Sequence, residues 1–274
     1  MAINALYSAA TGLSALNTQL DIISNNLANV NTNGFKASRA NFQDLLYQEQ
    51  SFPGTENANG DIRPTGLYVG MGVKVSGTQL DFRQGAPVTT GNPLDVMIQD
   101  PGNYARSFFR VQVEPDRSAN GIAYTRAGNF TQNQNGELVL ATDTGRRLEP
   151  VITIPADAIS VSIANDGEVS YTTPANATPQ VAGRILLAGF VNPAGLMQIG
   201  ENLYAPTDSS GPAVDGNPGE GTLGTLSSGQ LEASNVDPTK ELIEMIKTQR
   251  AFEMNSNSIR AADDTLRAVA QLRR

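Results

Sequence analysis

The stretch from Met1 to Asn33 carries a single formal charge, Asp21, together with two series of apolar residues that each repeat every seven positions. The series are Leu6, Leu13, Leu20 and Leu27, and Ala9, Leu16, Ile23 and Val30. Spacings that alternate between three and four place side chains on one face of an α-helix, so a long N-terminal helix is predicted. A two-helix pair against a core would explain the stripe alone. The uncharged remaining faces instead favour a helix that is surrounded by other helices.

The end of the chain repeats this pattern. One series is Met245, Phe252, Ile259 and Leu266, and beside it lie Thr248, Asn255, Ala262 and Val269. Asp237 followed by Pro238 predicts the start of this helix, with an acidic N-cap and proline at the first helical position. Because a sustained seven-residue repeat is typical of coiled coils, both ends of the chain are predicted to form coiled-coil-like helices.

The chain has 274 residues, a net charge of -8, and neither cysteine nor histidine. This composition excludes thiol nucleophiles, histidine bases, disulfides and Cys/His metal sites. The negative charge argues against binding to nucleic acid or anionic lipid, which requires clustered Lys and Arg. We therefore predict no enzyme, no catalytic residue, no cofactor and no metal, although paired carboxylates could still meet in space as they do in glycosidases.

No apolar run in the sequence is long enough to span a bilayer. The N-terminus is also unlike a signal peptide, because polar residues interrupt its apolar stretch at Asn4, Ser8, Thr11, Ser14 and Asn17. Two interpretations remain at this point: a cytoplasmic protein, or a protein exported by a route that leaves the N-terminus in place.

Residues 96–206 are predicted to form a β-rich domain. The segments "FTQNQNGELVL" and "VSIANDGEVSY" place Asn135-Gly136 and Asp166-Gly167 between alternating runs, as β-hairpins do. Further β-branched and aromatic runs are "LDVMI", "FFRVQV", "VITI" and "RILLAGFV". The predicted fold class is α+β, with paired terminal helices over residues 1–34 and 237–274 and a discontinuous, sandwich- or barrel-like β-rich middle domain.

Two segments are rich in Gly, Pro, Ser and Asn and poor in apolar residues. One is Gln48 to Gly72, within a connecting region predicted over residues 35–95, and the other is Thr207 to Gly229, within a return linker predicted over residues 207–236. Such composition buries too little surface to fold alone, so both are predicted to be flexible, or else to become ordered against a partner. In the stretch "NNLANVNTNGFK", Asn33 and Gly34 tolerate left-handed backbone and are predicted to end the first helix, after which Phe35 can be buried.

Two long motifs, "ISNNLANVNTNGFKASRANFQDLLYQ" and "LEASNVDPTKELIEMIKTQRAFEMNSNSIRAADDTLRAVAQL", resemble the paired terminal signatures of bacterial flagellar rod and hook proteins. The segments "YTRAGNFTQNQNGELVL", "ITIPADAISVSIANDGEVSY" and "IGENLYAPTDSSG" are similar to the distal rod branch of that family, as is the extra segment "LLYQEQSFPG…RPTGLYVGMGVKV". The resemblance covers nearly the whole chain. It departs in "IQDPGNYARSFF", which is longer than the usual Gly-x-Gly turn and is expected to face outward differently, and at Arg146-Arg147, where a glycine-rich turn is common.

The resemblance implies that the terminal helices pair and pack with those of neighbouring copies into a tube around the export channel, with the β-domain outside. The implied assembly interface consists of Leu6, Leu13, Leu16, Leu20, Ile23, Leu27, Val30, Met245, Phe252, Ile259 and Leu266. The implied family signature consists of Asn25, Asn26, Leu27, Ala28, Asn29, Asn33, Gly34 and Phe35. The asparagines are expected to satisfy one another and neighbouring backbone groups at a crowded joint, where charges would be costly to bury.

The resemblance also implies partners and a location. The partners are copies of the chain itself, proximal rod and hook or hook-junction subunits at the ends of the tube, and the bushing rings of the basal body. The location is the rod that crosses the periplasm, reached without signal-peptide cleavage through the flagellar type III export apparatus. Phe42 and Leu46 match the Phe-x-x-x-apolar pattern that the export gate recognises, although an amphipathic segment packed in the fold would look the same.

The implied function is a structural subunit of the distal rod, which carries torque from motor to hook. A proximal rod or hook subunit shares the terminal signatures and is the nearest alternative. A cell-wall enzyme and a secreted β-rich adhesin are alternatives from other classes.

Overall fold

The computed structural model describes residues 2–54, 56, 60, 62–102, 104–118 and 120–272. Two long helices stand at the two ends of the chain, α1 over Ala2–Ala28 and α2 over Pro238–Leu272, and short strands lie between them. Helices at the ends and strands in the middle confirm the predicted α+β class. The chain divides into two compact units, each of which is discontinuous in sequence.

The first unit comprises Met1–Leu27, Ser38–Gln79 and Asp237–Arg274. It contains both helices and four strands, which are β1 (Ser38–Asp44), β2 (Tyr47–Ser51), β3 (Leu67–Gly70) and β4 (Val73–Leu80). These strands form two small sheets, in which β1 pairs with β4 and β2 pairs with β3. The β2–β3 pair is antiparallel, with Tyr47 opposite Gly70 and Glu49 opposite Tyr68.

The second unit comprises Ala28–Ala37 and Leu80–Val236. Its strands are β5 (Pro87–Thr89), β6 (Val96–Gln99), β7 (Ser107–Gln112), β8 (Ile122–Thr125), β9 (Phe130–Gln132), β10 (Leu138–Leu140), β11 (Ser160–Ile163), β12 (Glu168–Thr173), β13 (Asn176–Arg184), β14 (Leu187–Gly189), β15 (Met197–Gly200), β16 (Leu203–Ala205), β17 (Val214–Gly216), β18 (Thr225–Ser228) and β19 (Gln230–Glu232). A short 3-10 helix covers Pro193–Gly195.

The largest sheet of the second unit has the strand order β15-β16-β8-β7-β14-β17, and a three-stranded sheet has the order β11-β12-β13. Three further two-stranded pairs are β9 with β10, β6 with β18, and β5 with β19. One part of the core is mainly aliphatic and surrounds Phe109 and Phe130. The other part is an aromatic cluster, in which Phe108 contacts Phe82, Phe190 and Tyr204 edge-on at ring distances of 5.7 to 5.9 Å.

Both predicted hairpins are confirmed. β9 and β10 are antiparallel neighbours joined through Gly136, and β11 and β12 are joined through Gly167. Both glycines have positive φ, +78° and +86°, which is the conformation that Asn-Gly and Asp-Gly turns supply. The start of α2 is also confirmed, because a side-chain oxygen of Asp237 accepts the backbone N–H groups of Thr239 and Lys240 at 3.0 and 3.3 Å.

The predicted end of the first helix was wrong. The helix ends at Ala28 instead of continuing to residue 34, because Asn29, Val30, Asn31 and Thr32 are all poor helix formers. The backbone then turns, with the N–H of Thr32 bonded to the carbonyl of Asn29 at 3.2 Å. Val30 therefore lies outside the helix whose stripe it was predicted to continue.

The flexible-linker prediction was wrong for the segment Thr207 to Gly229. It contains β17 and β18, and Leu223 and Leu226 are buried in the core with 7% and 1% exposure. Its glycines make tight turns, as where the N–H of Gly219 bonds the carbonyl of Gly224 at 2.9 Å. Two well-placed leucines are enough to anchor a glycine-rich stretch on a core that other segments supply.

Candidate functional site

The two long helices contact each other within the first unit and run in opposite directions. Near the start of α1, the Asn255 side-chain amide donates to the backbone carbonyl of Ala9 at 2.9 Å. Near the end of α1, the Asn26 amide donates to the Glu241 carboxylate at 3.3 Å. Between these contacts lies a cavity of about 220 Å³, lined by Asn17, Leu20, Gln249, Phe252 and Glu253.

Of the predicted assembly residues, Leu20 and Phe252 line the cavity between the two helices, and a single chain covers the set incompletely. Ile23 is buried with 4% exposure, and Leu266 is exposed. The remainder are half-buried: Leu6, Leu13, Leu16, Leu20, Leu27, Val30, Met245, Phe252 and Ile259. Apolar area on these residues is therefore left uncovered after the two helices of one chain have met. We name this set of residues the seam.

A second apolar patch on α2 was not predicted from the sequence. The patch consists of Leu242, Ile243, Ile246 and Met254, whose exposures are 47%, 48%, 58% and 65%. The signal was present in "ELIEMIK", where apolar residues fall on two faces of the helix, but the seven-residue repeat draws attention to one face only. We name these four residues the outer patch of α2.

The uncharged back of α1 is covered in part by the chain's own connecting region. The Ser8 hydroxyl donates to the carbonyl of Gly70 at 3.3 Å, and the Thr11 hydroxyl accepts the N–H of Val73 at 3.4 Å. Gly72 has φ +105°, and a Cβ there would lie 2.1 Å from the Thr11 hydroxyl oxygen. Small polar side chains thus hold an extended segment of the same chain against part of this face, and covering by the helices of neighbouring copies stays a prediction.

The segment Gln48 to Gly72 was predicted to be a loop, and in the structure it contains most of the β2–β3 hairpin. The base of this hairpin contacts α1, where the Asn4 amide donates to the Gln48 side chain at 2.8 Å. Large apolar side chains remain exposed along it, with 57% exposure at Tyr47, 54% at Leu67 and 50% at Tyr68. A two-stranded hairpin is marginally stable by itself in water, so this surface is suited to being covered.

Among the signature asparagines, Asn26 connects three segments of the first unit. It is 2% exposed, its amide donates to the Ser38 carbonyl at 2.9 Å, and its carbonyl accepts the Ser38 N–H at 3.0 Å. With its bond to Glu241, it joins α1, β1 and α2. Burial raises the pKa of the Glu241 carboxyl, and the Asn26 amide opposes that rise by donating to it.

The other signature residues have varied surroundings. Asn25 and Ala28 are exposed, whereas Leu27, Asn29, Asn33 and Phe35 are half-buried and Gly34 is buried. The carbonyl of Asn33 accepts the Asn202 amide at 2.7 Å, and the side-chain oxygen of Asn29 accepts the Thr32 hydroxyl at 3.1 Å. Asn26 therefore satisfies backbone groups within one chain, and the expectation that the signature asparagines do so at a joint between copies stays a prediction.

Gly34 is required for close approach of two backbones rather than as a helix cap. Its φ is +70°, and a Cβ there would lie 2.7 Å from the backbone carbon of Arg126. Its N–H bonds the carbonyl of Glu232 at 2.8 Å. Gly34 therefore holds the segment Ala28–Ala37 against the strands of the second unit.

Two residues after Gly34, Lys36 belongs to a cluster of four buried charges that was not predicted from the sequence. The Lys36 ammonium lies 2.6 Å from a Glu232 oxygen, Arg126 lies 2.7 Å from the other Glu232 oxygen, and Arg126 also lies 2.6 Å from Asp100. The exposures of the four side chains are between 0 and 1%. We name these four residues the buried charge cluster.

Backbone groups complete the buried charge cluster. Carbonyls of Arg83, Ser107 and Ile98 accept from Lys36 and Arg126 at 2.8, 2.6 and 3.1 Å, and the N–H of Gly85 donates to Glu232 at 2.8 Å. Two cations and two anions with satisfied hydrogen bonds leave no net buried charge, the condition under which buried ions are tolerated.

The partners of the cluster are 26 and 196 residues apart in sequence for the Arg126–Asp100 and Lys36–Glu232 pairs. No short sequence motif indicates that these residues pair. Asp100 and Ser107 also lie at the two ends of the loop in "IQDPGNYARSFF", which was expected to face outward differently. Both residues are buried, while Tyr104 between them is 41% exposed. That loop is therefore fixed at both ends from inside the second unit.

Burial has a cost for Lys36 that its partners do not fully offset. Desolvation lowers the pKa of Lys36 from 10.5 to about 8, against the opposing attraction of Glu232. For Glu232, burial alone would raise the pKa, but the adjacent guanidinium of Arg126 and ammonium of Lys36 hold it below its usual range. Lys36 and Glu232 are thus both charged at neutral pH.

The two export-pattern residues are both reachable from solvent. Phe42 lies in β1 with 41% exposure, and Leu46 lies just after that strand with 88% exposure. Their role in export stays a prediction.

The described residues contain no group of three or more carboxylates that could hold a metal ion. Among the described helices, none has the length and apolar character that crossing a membrane requires.

Comparison with known proteins defines the class. Three family models match: "Flagella basal body rod protein" over residues 6–36, "Flagellar hook protein FlgE/F/G D1 domain" over residues 105–171, and "Flagellar basal body rod FlgEFG protein C-terminal" over residues 227–272. The fold and these matches together describe a protein of the bacterial flagellar rod and hook class. Lys36, Arg126 and Glu232 each fall in a different one of the three matched regions.

Relatives that match over the full length of the chain narrow this class to one family. The chain is 44% identical to the flagellar basal-body rod protein FlgG of Buchnera aphidicola subsp. Schizaphis graminum, over 98% of this chain and 100% of the relative. It is 43% identical to FlgG of Caulobacter vibrioides, over 98% of this chain and 99% of the relative. The chain therefore belongs to the family of the flagellar basal-body rod protein FlgG. The prediction of a structural rod protein rather than an enzyme is confirmed.

The hook alternative has weaker support. The flagellar hook protein FlgE of Escherichia coli is 26% identical to the chain over 98% of its length, well below the identity to the rod proteins. The family is thus that of rod subunits.

The Lys36 pKa predicts how stability depends on pH. In the unfolded chain Lys36 takes its ordinary pKa of 10.5, whereas in the folded protein it is about 8. Between these values the folded state holds fewer protons, so the free energy of unfolding should rise with pH, by at most about 1.4 kcal/mol per pH unit. Urea unfolding between pH 8 and pH 9.5, roughly the window of the shift before tyrosines ionise, would measure this slope by near-ultraviolet circular dichroism.

The variant Lys36→Met should lose that rise while Lys74→Met, which removes an exposed lysine, should keep it. An equal slope in the wild type and Lys36→Met would show that burial does not lower the Lys36 pKa.

Proposed function

We propose that the chain is a subunit of the flagellar distal rod that polymerises into a hollow tube and transmits torque from motor to hook. The observation that carries the proposal is the apolar surface left open on the helices: the half-buried seam and the outer patch of α2, with exposures of 47 to 65%. Two such faces on one helix pair cannot both be satisfied by a single chain, and copies of the same chain supply matching surfaces.

The terminal helices would form the wall of the channel, packed as coiled coils within and between copies. Their half-buried residues repeat every seven positions, as coiled-coil packing requires. Exposed ion pairs lie beside and within the outer patch: Lys247–Glu244 at 2.7 Å, and Arg250–Glu253 at 3.1 Å between Ile246 and Met254. The surface offered to another copy therefore combines apolar and charged side chains.

Assembly at the outer patch predicts the behaviour of a charge placed there. Ile246→Asp puts a carboxylate on a 58% exposed position, so the single chain should keep its helix content while burial against another copy becomes unfavourable. Electron microscopy of the concentrated wild type should show straight hollow tubes, and Ile246→Asp should show none.

Asn257→Asp, an exposed polar position on the same helix, is the matched control and should still form tubes. A wild type that stays monomeric when concentrated, or Ile246→Asp tubes equal to those of the wild type, would contradict assembly through this patch.

The β2–β3 hairpin is proposed to stiffen the tube by packing its exposed Tyr47, Leu67 and Tyr68 against a neighbouring copy. Replacing Leu67 and Tyr68 with serine would remove two of these exposed apolar side chains while keeping β2, β3 and the Gly70–Gly72 contact with α1. The expected result is tubes of lower persistence length, measured from their curvature in micrographs, because an interface between copies is lost. Tubes as straight as those of the wild type would contradict this role and favour a subunit whose stiffness comes from its helices alone.

The remaining partners are proposed from family membership. They are proximal rod and hook or hook-junction subunits at the tube ends, and the bushing rings around the tube. The type III export apparatus would deliver the chain, with its N-terminus uncleaved, to the rod that crosses the periplasm. Exposed Phe42 and Leu46 are proposed as the segment recognised by the export gate.

The double variant Phe42→Ser with Leu46→Ser should reduce the secreted amount of the chain in a flagellated host while the purified variant still forms tubes, since both side chains are exposed. Tyr47→Ser, at the adjacent 57% exposed position, is the control and should be secreted normally. Unchanged secretion of the double variant would remove the export role from these residues.

A further inference from the structure

The apolar stripes of α1 and α2 contain little that fixes how the helices align. Leu6, Leu13, Leu20 and Leu27 are identical and evenly spaced. Sliding one helix along the other by seven residues, about 10 Å, would again place leucine opposite an apolar partner. A pair of helices built only from these stripes would therefore populate several registers.

One polar contact breaks this equivalence. The Asn255 amide donates to the carbonyl of Ala9 at 2.9 Å, reaching the backbone of α1 across Gly12. A Cβ on Gly12 would lie 2.7 Å from the Asn255 amide nitrogen, closer than side chains approach one another. Gly12 is the only glycine between Met1 and Ala28.

A slip of one heptad destroys the contact in either direction. Gln19 or Ala5 would then occupy the place of Gly12, and each brings a Cβ into the space of the amide. Seen from α2, Thr248 or Ala262 would occupy the place of Asn255, and neither carries an amide long enough to reach the α1 backbone. In both slipped arrangements the half-buried amide of Asn255 would lose its partner, which is costly.

We propose that Gly12 and Asn255 act together as a register-specifying pair, which allows the N- and C-terminal helices of one chain to align in a single way. The contact between Asn26 and Glu241 at the other end of the helices is made in the same alignment. A single polar residue in an apolar helical seam is known to select register at some cost in stability. Fixing this register gives every copy the same pattern of exposed side chains.

The chain lacks cysteine, so engineered cysteine pairs can report the alignment directly. The Gly12–Asn255 and Asn26–Glu241 contacts place Leu16 level with Phe252 in the antiparallel pair, so Leu16→Cys with Phe252→Cys reports the native register. Leu16→Cys with Ile259→Cys and Leu16→Cys with Met245→Cys report slips of one heptad in the two directions. Disulfide formation under mild oxidation is followed on the dilute full-length chain, with links within and between chains separated by gel.

In the otherwise natural chain, the native pair should link within one chain, about tenfold or more faster than either slipped pair. Adding Asn255→Leu should bring at least one slipped pair to within about threefold of the native pair, and Gly12→Ala should act in the same direction. Thr248→Val is the matched control: Thr248 lies on the same face but bonds the Glu244 carbonyl of its own helix at 2.7 Å, so its loss should leave one register.

Three results would overturn the proposal. One is a single register that persists in both Asn255→Leu and Gly12→Ala. Another is a native cysteine pair that links only different chains, or that does not link at all. The third is a loss of register in Thr248→Val as large as that in Asn255→Leu, since any polar residue on that face would then suffice.

Discussion

The buried charge cluster is the contact on which the second unit most depends. Glu232 lies between two cations, Lys36 and Arg126, at 2.6 and 2.7 Å, and Arg126 in turn holds Asp100. Each ion would be costly to bury alone, and removal of one partner from such a set leaves an unpaired charge in a medium of low polarity. The cluster is stable only when three distant parts of the chain are in place, so it couples the segment after α1 to the β-strands.

Features that depend on neighbouring residues were predictable from sequence. The helical stripes, the Asp237-Pro238 start and the hairpins at Gly136 and Gly167 follow from periodicity and turn chemistry over a few positions. The role of Gly34 did not, because it is decided by a backbone elsewhere in the chain, whereas the end of α1 was misplaced although the poor helix formers from Asn29 to Thr32 indicate it locally. From the sequence, Gly34 fits a helix cap. In the structure, a Cβ at this position would lie 2.7 Å from the backbone carbon of Arg126, so only glycine fits there.

The flexible-linker prediction from composition was wrong for the glycine-rich segment Thr207 to Gly229, and the reason is physical. Average apolar content describes what a segment could bury if it folded alone. Leu223 and Leu226 instead enter a core supplied by other strands, where a few contacts outweigh a polar average. The buried charge cluster was missed for a related reason: Lys36 and Glu232 are 196 residues apart, and a single sequence does not show such a pairing.

The shortage of charge on α1 follows from what lies against it. At Asn26, one side chain must donate to the Ser38 carbonyl, accept from the Ser38 N–H and donate to Glu241. An aspartate could accept but could not donate, and it would place a second carboxylate beside a Glu241 carboxyl whose pKa burial already raises. Lysine could donate but not accept. Only a neutral amide meets all three demands in this space, so asparagine stands where a charged residue would ordinarily be expected near a helix end.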